Sequence, residues 1–264
     1  MKDTPARRMR ASAQRKPGAL SQTVSRALAI LRVFDRDKRE LGISELSEKL
    51  DLPKTIVFRL VQTLRDAEFL EQNAENSKYR IGLGAFEIGN LFKSPTLDAE
   101  AAPFMRQLVD QTGHTAQLAV LHRDEMVIIG RMEGRGPLKY GVSVGERRRL
   151  HNSAVGKAVL SLLTAAQVDA LVGRTGLKKV TTNTITDPRA LSAELQQIRA
   201  RGYAVNWEEN TPGVASVAAP VASRHSPGLA ALAVAFPANP VARKDIPRIG
   251  KLVSAAAQAL AERV

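Results

Sequence analysis

The stretch from Gly42 to Leu70 constrains the fold more than any other part of the chain, because its apolar residues follow helical spacing twice in succession. Leu46 and Leu50 mark the buried face of a first short helix, for which Ser44 is the predicted N-cap. Pro53 suits the first position of a second helix. The predicted buried stripe of that helix comprises Val57, Leu60, Val61 and Leu64. The pattern is typical of a helix-turn-helix.

The face opposite that stripe carries mostly polar and basic side chains. They are Lys54, Thr55, Phe58, Arg59, Gln62 and Thr63. Arg, Gln, Thr and Lys are suited to contacts with base edges and phosphates in a major groove, and Phe58 to contact with a thymine methyl group. A solvated face of an ordinary helical domain has the same composition, so this segment alone leaves both interpretations open.

The flanking residues favour the DNA-binding interpretation. Residues 21–35 predict a preceding helix, capped by Ser21, whose buried stripe is expected to be Val24, Ala27, Leu28, Leu31 and Phe34. Residues 69–72 and 78–82 predict two short strands joined by a polar turn. Three helices followed by a hairpin is the order of a winged helix-turn-helix, and Ser44, Lys78 and Arg80 are added to its candidate DNA contacts.

The chain divides into four predicted segments. Residues 1–20 form a basic tail that we expect to be disordered. Residues 21–82 form the winged helix-turn-helix, residues 83–96 a linker helix, and residues 97–264 a second domain. Phe86, Leu91 and Phe92 are apolar residues of the linker, which either contact a second copy of the chain or pack on the downstream domain. Dimerisation is preferred, because a helix-turn-helix normally reads two half-sites.

The second domain has short strands in adjacent pairs, which predicts an α+β fold with a mainly antiparallel sheet and helices on one side of it. Predicted strands are residues 116–122, 125–132, 138–144, 203–209, 214–221 and 229–236. A helix is expected to begin at Asp187 and Pro188 and to close at Gly202, and a final helix covers residues 245–263. The run Arg147–Arg149 is interpreted as a solvated loop, or as a guide for an anionic ligand.

Composition limits the remaining possibilities. The net charge of +13 favours polyanionic partners, and the chain has no cysteine for disulfides or metal ligation. No apolar run is long enough for a membrane span, so a soluble cytoplasmic protein without a metal or cofactor is expected. Residues 141–145 match the GxSxG pattern of a hydrolase around Ser143, but the basic residues that follow are a poor start for a buried helix.

Over residues 21–264 the chain resembles the IclR family of bacterial transcription regulators. The matching segments are SRALAILRVF, ISELSEKLDLPKTIVFRLVQTL, LHNSAVGKAVL, TNTITDP and GYAVNWEENTPGVASVAAPV. The resemblance implies a winged-helix DNA-binding domain and a GAF-like effector-binding domain. It also implies dimers or dimers of dimers that repress or activate catabolic operons in response to small organic or aromatic acids.

Carried over position by position, the family's effector cavity corresponds here to Ser153, Ala154, Val155, Gly156, Asn206, Ser216, Ala233 and Ala235. Asn206 stands where the family usually has Asp, and the two alanines stand where it often has Ser. These departures indicate an effector less polar than a two-carbon oxoacid, such as an aromatic acid or a lactone. Asp51 stands at a common Gly position, where Asp tolerates a left-handed turn.

The sequence therefore predicts a ligand-responsive DNA-binding transcription regulator without catalytic activity. Its expected partners are a double-stranded DNA operator, a small-molecule effector and further copies of the chain, with no membrane. Two alternatives remain at this stage. One is an architectural DNA-binding protein without a ligand, and the other is a regulated enzyme acting on a small acid.

Overall fold

The computed structural model describes residues 20–35, 38–91, 97–136, 143–222 and 229–264. By its internal contacts the chain separates into two compact units, residues 1–93 and 94–264. The basic tail up to residue 19 lies outside the described residues, as do Phe92 and residues 138–142 of one predicted strand.

The N-terminal unit contains four helices and a hairpin among its described residues. They are α1 (Gln22–Val33), α2 (Ile43–Leu50), α3 (Lys54–Asp66), β1 (Leu70–Gln72), β2 (Tyr79–Ile81) and α4 (Leu83–Leu91). The two strands pair antiparallel. An isolated bridge between Leu41 and Tyr79 adds a third short segment to the hairpin, which the sequence did not predict. The order of three helices and a hairpin is confirmed.

The helix-turn-helix has the predicted buried stripe, with Val57, Leu60 and Val61 buried in the core of the unit. Its turn runs through Asp51 in the left-handed conformation with φ at 50°. Two details of the prediction were wrong. The N-cap of α2 is Gly42, whose amide donates to Glu45 Oε2 at 2.9 Å, so Ser44 lies inside the first turn and is exposed. Pro53 is the N-cap of α3 and not its first helical residue.

The expected stripe of α1 was also partly wrong. Ser21 caps the helix as predicted, through an oxygen that accepts from the Val24 amide. The fully buried residue is Ile30, whereas Val24 and Leu28 are 56% and 49% exposed. This helix has apolar residues on more than one face, and its spacing alone does not decide which face meets α2 and α3.

The C-terminal unit is built on one antiparallel sheet. Its described helices and strands are α5 (Leu97–Thr112), β3 (Thr115–His122), β4 (Glu125–Met132), β5 (Arg147–Arg149), α6 (Ala154–Leu160), α7 (Ala165–Thr175), α8 (Pro188–Arg201), β6 (Ala204–Trp207), β7 (Val214–Val221), β8 (Ala230–Pro237) and α9 (Pro240–Ala261). The strand order is β5-β4-β3-β8-β7-β6, and each neighbouring pair is antiparallel. The predicted α+β class with an antiparallel sheet is confirmed.

Helices cover both faces of this sheet, so the prediction of helices on one side was wrong. Helices α5 and α9 pack on one face through residues such as Leu108 and Val253. Helices α6, α7 and α8 pack on the other face through residues such as Val159 and Leu195. The alternation of side chains along each strand divides the core in this way, because successive residues point to opposite faces.

The start of the last helix and the interpretation of Arg147–Arg149 also need correction. Helix α9 begins at Pro240 and continues through Pro247, earlier than residue 245. Residues Arg147–Arg149 form the edge strand β5, paired with β4, and are not a loop. An edge strand contacts one neighbour only, so charged residues are compatible with it.

Candidate DNA-binding surface and effector site

The outer face of α3 presents most of the predicted DNA contacts to solvent. Lys54, Thr55, Phe58, Arg59 and Thr63 are exposed. Within the part of the chain that the structure describes, no ion pair involves Lys54 or Arg59. Two cations without acidic partners on an exposed helix are available for contacts with phosphates or base edges.

Gln62 differs from its neighbours on that helix. Its side chain is half-buried, and Nε2 donates to the Tyr79 hydroxyl at 3.0 Å. Tyr79 is itself buried in the hairpin. Gln62 therefore fixes α3 against β2, and the expectation that it points directly away from the core was wrong.

Both predicted cations of the hairpin are paired, and Arg80 is exposed whereas Lys78 is half-buried. Lys78 Nζ lies 3.1 Å from Glu45 Oε2, and Arg80 Nη2 lies 2.8 Å from Glu71 Oε1. The hydrogen bond from Arg80 lowers the pKa of Glu71, and the bond from the Gly42 amide, followed by that from Lys78, lowers the pKa of Glu45. A phosphate approaching the hairpin would compete with these carboxylates.

The tip of the hairpin is held by an acid from the segment before α2. Glu40 accepts hydrogen bonds from the side-chain amides of Asn73 and Asn76 at 3.0 and 2.8 Å. The bond from Asn76, followed by that from Asn73, lowers the pKa of Glu40. These contacts define the hairpin conformation beside α2.

The C-terminal unit contains a cavity between α6 and the sheet. Its volume is about 40 Å³. Its lining includes seven of the eight predicted effector residues: Ser153, Ala154, Val155, Asn206, Ser216, Ala233 and Ala235. One buried water requires about 10–15 Å³, so the space is sufficient for about three water-sized groups.

The strand register explains why residues distant in sequence meet there. Ala235 is opposite Thr115 on β3 and opposite Ser216 on β7, and Ser216 is opposite Asn206 on β6. Directly paired residues point to the same face of a sheet. These four residues therefore form one row across four strands, on the face that α6 covers.

Two of the three polar residues expected to contact an effector, Ser153 and Asn206, already have partners. Ser153 is the N-cap of α6, where its hydroxyl donates to Arg149 O at 2.6 Å and accepts from the Gly156 amide at 3.2 Å. Asn206 donates to Asn152 O at 3.1 Å and accepts from the Glu209 amide at 3.0 Å. An Asp at this position has no proton for Asn152 O when ionised, so the amide suits this arrangement.

Gly156 is the predicted effector residue that does not line the cavity. It lies against the turn before α6, where a Cβ atom would come within 2.5 Å of Leu150 Cα. This close approach explains the glycine, because a side chain there would push α6 away from the turn.

A buried charge network lies behind the cavity. Lys157 Nζ lies 2.5 Å from Glu209 Oε1 and 3.6 Å from Glu194 Oε1, which also accepts from Arg201 Nη2 at 2.8 Å. The Lys157 side chain is only 1% exposed. Burial raises the pKa of Glu209, and the charge of Lys157 partly opposes that rise. No local pattern predicts this pair, because its members are 52 residues apart in the chain.

Five residues that sequence reasoning did not assign to the cavity also line it: Gln117, Arg148, Asn210, Thr211 and Val214. They make the wall more polar than the two alanines alone indicate. Gln117 had one visible signal, because it is the polar residue inside the apolar run Ala116–Leu121. Arg148 belongs to the run already considered as a guide for an anionic ligand.

Comparison with known proteins identifies the family. Residues 23–74 match the family model described as the IclR helix-turn-helix domain. Residues 90–262 match the one described as bacterial transcriptional regulator IclR C-terminal. The chain belongs to the IclR family. Its members are DNA-binding transcription regulators and not enzymes, so the alternative of a regulated enzyme is set aside.

Individual IclR relatives cover nearly the whole chain. The HTH-type transcriptional repressor AllR of Klebsiella pneumoniae is 32% identical over 253 residues, which are 95% of this chain and 93% of that protein. The AllR repressor of Escherichia coli K12 is 30% identical over 234 residues, 88% of this chain and 86% of that protein.

Solved IclR structures have the same fold. A regulator from Alicyclobacillus acidocaldarius has a TM-score of 0.80 at 26% identity, over 92% of this chain and 98% of that one. An IclR homologue from Microbacterium hydrocarbonoxydans, crystallised with 4-hydroxybenzoate, has a TM-score of 0.76 at 22% identity, over 91% of this chain and 98% of that one.

The structure gives no support to chemistry at Ser143. A nucleophile elbow requires a helix directly after the serine. Here Ser143 is followed by a turn and by strand β5, and its amide donates to Glu146 Oε2 at 2.9 Å. Among the described residues no cluster of three metal-ligating side chains is found, and no described helix is long and apolar enough to cross a membrane.

Proposed function

We propose that this IclR-family chain is a ligand-responsive regulator of a catabolic operon, sensing a small organic acid and acting in the cytoplasm. The exposed outer face of α3 carries the proposal, with two cations that have no acidic partner among the described residues. Arg59 and Lys54 would contact bases and phosphates, with Thr55, Phe58 and Thr63 beside them and Ser44 at the neighbouring helix. Lys78 and Arg80 would add phosphate contacts after exchanging their carboxylate partners.

We propose that the protein binds its operator as a homodimer or as a dimer of dimers. Helix α4 supports this, because Leu83, Phe86 and Leu91 are 65%, 64% and 84% exposed. Apolar side chains of this size concentrated on a nine-residue helix favour a protein contact over solvent. Two copies would then present two α3 helices to successive major grooves.

The cavity between α6 and the sheet is proposed as the effector site. Its small volume, with both polar and apolar residues in the lining, favours a compact acid over the aromatic acid or lactone considered from the sequence. Ser153, Asn206 and Gly156 are proposed to shape the site, and Ala154, Val155, Ser216, Ala233 and Ala235 to contact the ligand. Ligand binding would shift the equilibrium between conformations that differ in operator affinity, which requires unequal affinity of the ligand for the two.

Substitution of Arg59 tests the DNA-binding assignment. Duplexes are first selected from a randomised library with the wild-type chain, and their affinities are measured by fluorescence anisotropy at several salt concentrations. We expect Arg59→Ala to weaken binding at least about tenfold and, if the contact is to phosphate, to reduce the salt slope by about one.

Arg65→Ala is the matched control, because Arg65 lies at the far end of the same helix and pairs with Asp66. It should bind the selected duplexes nearly as tightly as the wild type. Unchanged affinity and salt dependence for Arg59→Ala would overturn the recognition-helix assignment. Equal affinity of the wild type for selected and unrelated duplexes would favour the architectural alternative.

A further inference from the structure

Gln117 is a buried polar side chain in the cavity wall, and its amide nitrogen lacks a partner. The residue is 4% exposed, it lines the cavity, and its Nε2 makes no hydrogen bond. A buried amide without an acceptor costs free energy, and native structures rarely retain one without a water, an ion or a ligand to complete it. Gln117 is therefore a residue of the cavity lining whose amide donor has no acceptor within the protein.

Two other polar residues of the lining, Ser153 and Asn206, differ from Gln117 in this respect. The Ser153 hydroxyl both donates and accepts within the protein, and so does the Asn206 amide. These side chains hold the walls of the cavity together. Gln117 lines the cavity from β3, directly opposite Ala233 of β8, which lines it as well.

A positive charge lines the same cavity. Arg148 on β5 contributes to the lining, and its Nη1 lies 2.7 Å from Glu146 Oε1. The Arg148 side chain is 19% exposed and Glu146 is 32% exposed, so the pair lies at the rim and its carboxylate can be exchanged for another. The Arg148 guanidinium and the Gln117 amide, which has no acceptor within the protein, favour a ligand that carries acceptor oxygens.

From these observations we infer that Gln117 determines effector specificity by donating a hydrogen bond to a carboxylate oxygen of a compact acid, with Arg148 providing its counter-charge. The inference rests on the proposed effector site and adds the residue that selects the acid. The limited volume favours a ligand of a few heavy atoms.

The test uses Gln117→Met in the full chain, because Met has nearly the shape of Gln and lacks the amide donor. Gln196→Met is the control, since Gln196 is exposed on α8. Thermal unfolding is followed with acetate, lactate, pyruvate and benzoate, and with the methyl ester or amide of each. We expect at least one acid, and not its neutral counterpart, to stabilise the wild type and the control.

For that acid, Gln117→Met should lose at least about tenfold in affinity. Its melting temperature without ligand should be equal to that of the wild type or a few degrees higher, because an unsatisfied donor has been removed. A residue with only a structural role would instead lower the melting temperature when replaced. Gln117→Leu repeats the measurement in case the Met variant does not fold.

Three results would overturn the inference. Gln117→Met that binds the acid as tightly as the wild type would remove Gln117 from recognition. A wild type stabilised only by neutral compounds would reject the acid class, while the ligand-responsive regulator would stand. If no compound stabilises the wild type, the proposal that Gln117 binds a compact acid is rejected. The DNA-binding assignment is not affected by that result, because the Arg59→Ala experiment tests it separately.

Discussion

Lys157 and Glu209 form an ion pair inside the C-terminal unit, with Nζ and Oε1 2.5 Å apart and both residues buried. Lys157 belongs to α6, whose first residues line the cavity between α6 and the sheet. Glu209 directly precedes Asn210 and Thr211, which line the same cavity. The pair therefore joins two walls of the cavity from behind, at a distance of 52 residues along the chain.

Removal of the cation should destabilise the C-terminal unit. Lys157→Met leaves the Glu209 carboxylate buried without its ammonium partner, and breaking a buried pair in this way costs about 3–5 kcal/mol. The double variant Lys157→Met with Glu209→Gln should recover part of that loss, because it leaves no charge at position 209. Urea unfolding can be followed by the fluorescence of Trp207, the single tryptophan of the chain. A double variant as unstable as the sum of the two single variants would contradict this coupling.

The same variant should have a characteristic pH dependence. Burial raises the pKa of Glu209 in the folded protein, so protonation favours the folded state and ionisation opposes it. Without Lys157 that pKa should rise further. The loss of unfolding free energy in Lys157→Met, relative to the wild type, should therefore be largest at neutral pH. This deficit should shrink as the pH falls toward the ordinary carboxyl pKa of 4.5. A deficit that does not change with pH would place the cause in packing.

Gly156 and Gly173 provide a matched pair of helix substitutions. Gly156→Ala should destabilise the unit by about 1–3 kcal/mol, because its Cβ would collide with the backbone of Leu150. Gly173→Ala on α7 should stabilise it by about 0.5–1 kcal/mol, since a Cβ there meets no atom within 4 Å. Both are measured by urea unfolding. Equal effects of the two substitutions would contradict the close approach of α6 to the preceding turn.

Two histidines should make the protein less stable in mild acid. Burial lowers the pKa of His151 and of His114 below 6.5 in the folded protein. Their contribution to the free energy of unfolding is therefore fully present above pH 6.5, and it is lost as the pH falls through their pKa values in the folded protein. The double variant His151→Gln with His114→Phe should flatten this dependence between about pH 7.5 and about pH 5.5. Glu209 acts in the opposite direction, so each variant is compared with the wild type at the same pH.

The linker helix offers a test of the proposed dimer. Leu91→Glu places a charge on a residue that is 84% exposed, and it should shift the chain toward monomer if α4 contacts a second copy. Asn90→Glu adds the same charge to the adjacent polar position and should have a smaller effect. Sedimentation at several protein concentrations measures both. A Leu91→Glu chain that associates like the wild type would move the dimer contact elsewhere.

Local patterns in the sequence were sufficient for the helix-turn-helix. Val57, Leu60 and Val61 recur at helical spacing, and the same three residues are buried. In the first helix the same spacing did not predict burial correctly, because Val24 and Leu28 satisfy the spacing and are exposed. Burial there depends on which face meets the neighbouring helices, and that is a property of the assembled unit.

The candidate effector site was predicted only in part, for a related reason. Resemblance located Ser153 and Asn206 at the cavity, but their hydrogen bonds join segments distant in sequence and had no local signal. Gln117 was missed because its strand is otherwise apolar and its importance depends on the absence of a partner. Strand β5 was missed because three consecutive arginines do not alternate in polarity.

The row of Thr115, Ala235, Ser216 and Asn206 across four strands has a consequence for how such a domain changes over time. The main-chain ladder of a sheet does not depend on which side chains project from one face, so the residues of this row can be exchanged one at a time while the scaffold persists. Exchanges at Ala235, Ser216 and Asn206 alter the shape and polarity of the cavity lining. A single architecture can thus give rise to sensors for different compounds through a few replacements along one line.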